Sequence, residues 1–388
     1  MRIALVANNI HFRGGMERYC AEIVRHLCDR HEFHLFATEV DDVPLDRVTV
    51  HPIPATPKPI LAYFLQFYAR ASRAVRPQEF DIVHTIGGIT SRQNVVTAQY
   101  CQYAWGDVLR REPEAREGLT AYHHFMWRLW GHYEKRAMTS PETRVISANS
   151  HTTSRDLQTF YGCPEKRVKV VYNGVDPDRF SPDKREKRSE VRAKYGIPEK
   201  ETLILFVGEY QRKGLATLIR ALGHLPKSAS FRLLAVGRGD IPRYRQIADE
   251  AGVADRVVLS GPQRGVENIF GAADVFAFPT FYEPFGNVIT EAMASGLPVV
   301  TTRRAGAAEL IEHGESGMLV EDPRNAAEIA RAVEPFLGDA ALRTRMGALA
   351  REVAREYTWE RVARETEALY ESVLEGATTT GTSRVAVT

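Results

Sequence analysis

Short apolar runs of strand length alternate with helical periodicity from the first residues, and the alternation starts again in the second half of the chain. Residues 2–8 read as a buried strand, and Gly14-Gly15 precedes a helical pattern through Tyr19, Ile23, Val24 and Leu27. Further strand candidates are 32–37, 48–51, 82–85, 94–97, 144–149 and 168–171, with helical stretches between most of them. Strands joined through helices pair in parallel, because the crossover helix returns the chain to the edge where the next strand must begin. The pattern restarts with a strand at 203–207, a helix at 214–223, strands at 232–236 and 257–260, a helix at 266–272 and an apolar run at 275–278. The expected architecture is α/β, with two doubly wound, Rossmann-like domains.

A chain of 388 residues is too long for one ordinary core and fits two domains. A charged, poorly apolar segment at 181–192, carrying Lys184, Arg185, Glu186, Lys187 and Arg188, reads as the linker, just after Asn173-Gly174-Val175-Asp176-Pro177. The expected division is a first domain over 1–178 and a second over 179–357. A final long helix at 358–374 follows two other helices and is expected to pack back on the first domain. The small, polar residues 375–388 are expected to form a disordered tail.

The net charge of +2, from 51 basic and 49 acidic residues, supplies no global field suited to nucleic acid. Cys20, Cys28, Cys101 and Cys163 are scattered without a close pair, which fits core residues in a reducing, cytoplasmic setting. No apolar run approaches the roughly 20 residues that cross a bilayer, and Met1 leads directly into a strand instead of a signal peptide.

The chemistry concentrates at Glu283-Pro284-Phe285-Gly286, with Glu291 and then Ala294-Ser295-Gly296-Leu297-Pro298 behind it. Gly286 lets the backbone turn into a helix beginning near Asn287, whose first amides and positive dipole end suit an anion such as a diphosphate. Glu291, about one turn in, is placed to bond ribose hydroxyls, and Glu283, just outside the helix, to bond those of a sugar. A second candidate loop, Gly208-Glu209-Tyr210-Gln211-Arg212-Lys213-Gly214, follows a strand of the second half. Its Arg212 can fork onto phosphate oxygens while Lys213 acts as a point charge. Gly14-Gly15 is a third place where backbone can approach a phosphate. All three follow the carboxyl ends of strands, where open α/β sheets place ligands.

Other patterns carry less. Asp176-Pro177-Asp178 imitates a metal-holding Asp-x-Asp pair, but Pro177 stiffens it and no third ligand accompanies it. His123-His124 lacks the spacing of a helical metal pair. No Gly-x-Ser-x-Gly elbow or complete Walker loop occurs. The stretches 59–75 and 125–136 mix aromatic with basic side chains, a pattern shared by sheet-covering helices and by helices in peripheral contact with an anionic membrane face.

These residues together resemble the retaining glycosyltransferases of family 4. Gly14-Gly15, Ala148-Asn149-Ser150, Asn173-Gly174-Val175-Asp176, the Gly208 to Gly214 loop and Glu283-Pro284-Phe285-Gly286 with Glu291 carry the resemblance over nearly the whole chain. It implies the GT-B fold, two Rossmann-like domains facing across a cleft, and among subfamilies it leans toward bacterial enzymes of lipopolysaccharide core or other surface glycans.

The resemblance further implies transfer of a hexose from a nucleoside diphosphate sugar to a glycan or glycolipid acceptor, with UDP the default base and GDP or ADP as alternatives. No cofactor or metal is implied. Arg212, Lys213 and Glu283 become the catalytic group. Gly14, Gly15, Gly208, Phe285, Gly286, Asn287 and Glu291 complete the donor site, and Val266 lies near the base. Gln99 stands where many relatives have a His or Asp, and it cannot take up a proton, so orienting the sugar or acceptor is the role left to it. The competing readings are a nucleotide-sugar epimerase or a phosphorylase on the same fold, and a carbohydrate-binding protein without catalysis.

Overall fold

The computed structural model describes residues 1–116 and 119–381. The chain divides into two compact units, one of Met1–Asp107, Gly118–Gly174 and Trp359–Thr388, the other of Val108–Glu117 and Val175–Thr358.

The first unit is built on a seven-stranded parallel sheet, in the order Val48–Pro52, Glu32–Ala37, Arg2–Val6, Ile82–Ile86, Val95–Ala98, Val145–Ala148 and Val168–Val170. Its central strands are buried on both faces, which is why they read as continuous apolar runs instead of alternating ones. The chain winds outward from Arg2–Val6 to one edge, then returns to the other side of that strand at Ile82–Ile86. Gly14-Gly15 follows the strand at this switch point.

The helix Trp359–Gly381 belongs to this unit, where Trp359, Val362, Ala363, Tyr370 and Val373 share one core with Tyr19, Ile23 and Val24 of the helix Gly15–Leu27. Two buried polar ties add direction to that contact. The Tyr370 hydroxyl lies 2.7 Å from Nδ1 of His84, and the Thr366 hydroxyl 3.3 Å from that of Tyr19. Burial pushes the His84 imidazole down to about 3, so it is neutral at ordinary pH and can serve the hydroxyls of Tyr370 and, at 2.7 Å from Nε2, Thr97 as one donor and one acceptor. The helix is longer than the expected 358–374: it continues through Gly381 into the stretch assigned to a disordered tail, and 382–388 lie outside the described residues.

The second unit carries a six-stranded parallel sheet in the order Val257–Gly261, Phe231–Val236, Thr202–Val207, Val275–Phe278, Val299–Thr302 and Gly317–Val320. Here the switch point falls between Thr202–Val207 and Val275–Phe278, which pair directly.

Two expectations about domain limits are corrected. The division after the first unit falls at Gly174, four residues before the expected 178, and a piece of the first half, 108–117, groups with the second unit. The charged segment 181–192 is no linker. It forms the 3-10 turn Pro182–Lys187 and enters the helix Arg188–Lys194, whose Arg192 is 1% exposed. Arg192 Nη2 lies 2.6 Å from Oδ2 of Asp274, Arg188 Nη2 lies 3.0 Å from Oδ1, and the Leu203 amide donates to the same carboxylate. Composition alone reads such a segment as solvated; one buried partner 82 residues away reverses the reading.

The aromatic and basic stretches are sheet-covering. The helix Ile60–Ala74 buries Phe64, Phe67 and Ala71 against the sheet, and Phe64 and Tyr68 meet the Tyr133 ring of the helix Ala121–Thr139 at 5.0 and 4.5 Å. Ile60, Leu65, Tyr122 and Phe125 remain exposed. Among the described residues no helix is long and apolar enough to cross a membrane.

Removing one partner of a buried ion pair leaves the other charge uncompensated, at a cost of about 3–5 kcal/mol. Asp274→Ala should therefore lower stability by that order in urea unfolding of the purified protein, whereas Asp183→Ala in the neighbouring exposed turn should change it by less than about 0.5 kcal/mol; equal midpoints for the two variants would refute the structural role of Asp274.

Candidate functional site

Three loops leave the carboxyl ends of three adjacent strands of the second unit, and backbone hydrogen bonds lock them together. The carbonyl of Arg212 accepts from the amide of Phe281 (3.2 Å) and the hydroxyl of Thr280 (3.3 Å). The amide of Glu283 donates to the carbonyl of Arg304 (3.3 Å), the carbonyl of Glu283 accepts from the amide of Gly306 (2.9 Å), and Ala307 donates to Phe285 (2.8 Å). Hydroxyls of Thr301 and Thr302 reach back to the carbonyls of Phe278 and Thr280, both at 2.8 Å. The segment bearing Arg212 and Lys213, the segment bearing Glu283, Phe285 and Gly286, and the turn at 303–307 are thus held as one piece at the switch point of the sheet.

Lys213 sits in this piece only 7% exposed, with its ammonium in ion contact with Oε2 of Glu283 and 5.4 Å from the centroid of the Phe278 ring. Burial pushes the Lys213 ammonium well below its ordinary value, the Arg212 guanidinium beside it pushes the same way, and Glu209 opposes them. The contact with Glu283 also favours the charged form, as a buried cation requires. Arg212 lies more open, with its Nε 3.7 Å from Oε2 of Glu209. A cation pair with one carboxylate on each member is thereby presented at the carboxyl edge of the sheet.

Two glycines make the geometry possible. Gly286 holds φ at 102° as the residue before the helix Asn287–Ala294, a conformation that side chains rarely adopt, and no side chain caps that helix start. Gly214, with φ 78°, turns the Arg212-Lys213 segment into the helix Leu215–Gly223, and a Cβ there would lie 2.0 Å from the carbonyl oxygen of Pro279. Glu291 is half-buried in the second turn of the Asn287 helix, its carbonyl bonded by the hydroxyl and amide of Ser295. Gly208 ends the Thr202–Val207 strand, where a Cβ would crowd Lys213 Cγ at 3.1 Å. Val266 opens the helix Val266–Ala272.

Gly14, Gly15 and Gln99 belong to the first unit. Gly14 precedes the helix Gly15–Leu27 in ordinary extended backbone (φ −137°), and a Cβ there would meet the side chain of Glu17. Gln99 is buried in a set of three amides. Its Nε2 donates to Asn173 Oδ1 (2.9 Å), and its Oε1 accepts from Asn173 Nδ2 (2.9 Å) and Asn149 Nδ2 (3.1 Å). Thr153 in turn donates to Asn149 Oδ1 at 2.7 Å. The sequence signals at 148–150 and 173–174 thus converge on Gln99. Its side chain ties strand ends together.

The elements that look metal-like are engaged locally. Asp176 Oδ1 accepts from the amides of Asp178 and Arg179, and His123 Nδ1 bonds the hydroxyl of Thr120. Sequence reasoning missed Glu209, Thr280 and the 303–307 turn. Glu209 lay inside a quoted motif, but Thr280 and the turn act through backbone or short side chains, which leave no compositional signal.

Comparison with known proteins identifies the family of both halves of the chain. Residues 187–353 match the family model described as glycosyl transferases group 1, and residues 13–179 the one described as glycosyltransferase family 4. A D-inositol 3-phosphate glycosyltransferase of Corynebacterium glutamicum is 33% identical over 241 residues, 59% of this chain and 57% of that protein. The chain spans about three fifths of the length of the curated relatives that it matches in this way. Among solved structures, WaaG, a glycosyltransferase involved in lipopolysaccharide biosynthesis, superposes with a TM-score of 0.77 at 22% identity, over 95% of this chain and 99% of that one. HepE of Anabaena, in complex with UDP-glucose, does so with 0.72 at 20% identity, over 96% of this chain and 100% of that one. At such identities the structural likeness concerns the fold.

Gln99→Leu removes the side-chain hydrogen bonds that join Gln99 to Asn173 and Asn149, and weakening such a buried set costs about 1–3 kcal/mol. The expected result is a matching loss in unfolding free energy by urea titration; a variant as stable as the parent would refute the structural role of Gln99.

Proposed function

Since the chain belongs to the glycosyltransferases of group 1 and family 4, we propose that it moves a hexose from a nucleoside diphosphate sugar, with UDP as the base, to an acceptor hydroxyl with the anomeric configuration kept. The observation that carries this reading is the buried Lys213 ammonium paired to Glu283 beside Arg212, in interlocked loops at the switch point of the second sheet. Open α/β sheets bind their ligands at such points.

In the proposed reaction the bond from the anomeric carbon to the diphosphate oxygen breaks, and that oxygen gains negative charge. Arg212, Lys213 and the amides of the Asn287 helix start bind the charge as it develops, which is where fixed cations and dipoles lower a barrier most. Glu283 accepts hydrogen bonds from sugar hydroxyls and Glu291 from the ribose. The acceptor oxygen forms the new glycosidic bond, and its proton passes to the departing phosphate oxygen, a route that asks nothing of Gln99. The same two cations carry the work that a divalent ion does in other sugar transferases, so the reaction is proposed to be metal-independent.

For the acceptor, a glycan or glycolipid of the cell surface is proposed, in keeping with the lipopolysaccharide role given for WaaG. The D-inositol 3-phosphate glycosyltransferases among the relatives make a phosphorylated cyclitol the first alternative to assay. UDP as the base draws support from HepE, whose structure holds UDP-glucose.

A thermal-shift screen with UDP-, GDP- and ADP-sugars tests the reading at its base, since a ligand at 100 times its Kd stabilises the folded state by about 2.7 kcal/mol. UDP-glucose is expected to raise Tm; no rise with any UDP-, GDP- or ADP-hexose would end it. Lys213→Ala should lower turnover by about 10²- to 10³-fold with the protein still folded by circular dichroism, because it removes one preorganised contact to the leaving group. Activity that survives EDTA checks the metal-independent route.

A further inference from the structure

The piece of the first half that groups with the second unit ends in contacts with the donor loops. After the helix Gln102–Arg111 comes Glu112, 3% exposed, then the short turn of helix Pro113–Arg116. Glu112 Oε1 takes Nη1 of Arg304 at 2.7 Å, and its Oε2 lies 3.7 Å from Nε of Arg324. Glu114 Oε1 takes Nη1 of Arg220 at 2.7 Å. The side-chain amide of Gln211 donates to the carbonyls of Glu114 (3.2 Å) and Ala115 (3.3 Å).

Both ends of this set lead into the proposed donor site by a single step. Gln211 is the residue before Arg212 and Lys213. Arg304 gives its carbonyl to the amide of Glu283, and the next residue, Ala305, pairs with Glu283 in register. Two carboxylate oxygens in the piece, Glu112 Oε2 and Glu114 Oε2, are buried without a hydrogen-bond partner. Desolvated carboxylate oxygens are costly, so a stretch placed there only to fill space would carry uncharged side chains.

Resting on the donor reading above, we infer that residues 108–116 form a clasp on the donor loops, with Glu112 a positioning residue for Glu283 through Arg304 and Gln211 a positioning residue for the Arg212-Lys213 pair. The two halves of the clasp then govern different parts of the donor. Glu283 faces the sugar, whereas Arg212 and Lys213 face the diphosphate. Loosening Arg304 weakens the part of binding that a sugar adds to a bare nucleotide; loosening Gln211 weakens nucleotide and nucleotide sugar alike.

Calorimetric titration with two probes, UDP and UDP-glucose, separates these outcomes. Glu112→Ala is expected to weaken UDP-glucose by roughly five- to ten-fold and UDP by less than about two-fold, the range over which single members of an ion-pair network shift a coupled site. Arg304→Ala should reproduce that pattern, and the Glu112→Ala, Arg304→Ala double variant should be no worse than either single one, because both cut the same link. Gln211→Ala should weaken both probes by a similar factor, and Glu112→Gln, which keeps an acceptor for Arg304, should recover most of the UDP-glucose affinity. Equal losses for both probes in Glu112→Ala, additive losses in the double variant, or unchanged affinities would overturn the clasp. A parent protein that binds neither probe would instead reject the donor reading, and the clasp with it.

Discussion

A buried ammonium must have a carboxylate against it, and the second unit is arranged around meeting that demand. Lys213 comes from the loop after one strand and Glu283 from the loop after its neighbour, so the ion contact stands only while the two strands keep their register. The backbone bond from Phe281 to Arg212 holds that register in the loops themselves, and the bond from Gly306 to Glu283 ties the second loop to the turn at 303–307. Charge that would be mobile on a surface is thereby fixed to within the tolerance of a hydrogen-bonded sheet edge. Fixed charge needs little reorganisation when a reaction develops charge of its own, which is the property a group-transfer site uses.

The parallel strands were legible because strands buried on both faces leave runs such as Leu203 to Val207 that no amphipathic helix produces. The interlocked loops proposed to hold the donor were legible for a related reason: Gly214 and Gly286 sit where backbone conformation admits little else. What failed to show is instructive in the same terms. The segment 181–192 carries the composition of a linker, yet Arg192 is among the most buried side chains, because Asp274 compensates it from far along the chain. Gln99 was readable as a departure from a family pattern, but its two amide partners come from 149 and 173, and three separate polar residues give no sign in sequence that they will meet.

The piece at 108–117 was invisible for a further reason. Its residues, Glu-Pro-Glu-Ala-Arg at 112–116, have no periodicity that would assign them to either half, and only long-range pairs with Arg304, Arg220 and Gln211 determine where they belong. The C-terminal helix is the opposite case. Its apolar stripe through Trp359, Val362, Ala363 and Tyr370 is plain in the sequence, and the buried hydroxyl of Tyr370 against His84 then selects which sheet it covers.

The compact units are therefore not successive stretches of the gene. One is assembled from three pieces of chain and the other from two. A recombination event or an engineered chimera that exchanged everything after Gly174 for the matching half of a relative would also remove the closing helix of the recipient, and would leave the acidic turn at 112–116 facing foreign arginines. Successful grafts should exchange the turn and the helix along with the half to which each belongs by contact, so that inheritance follows the fold and not the order of residues.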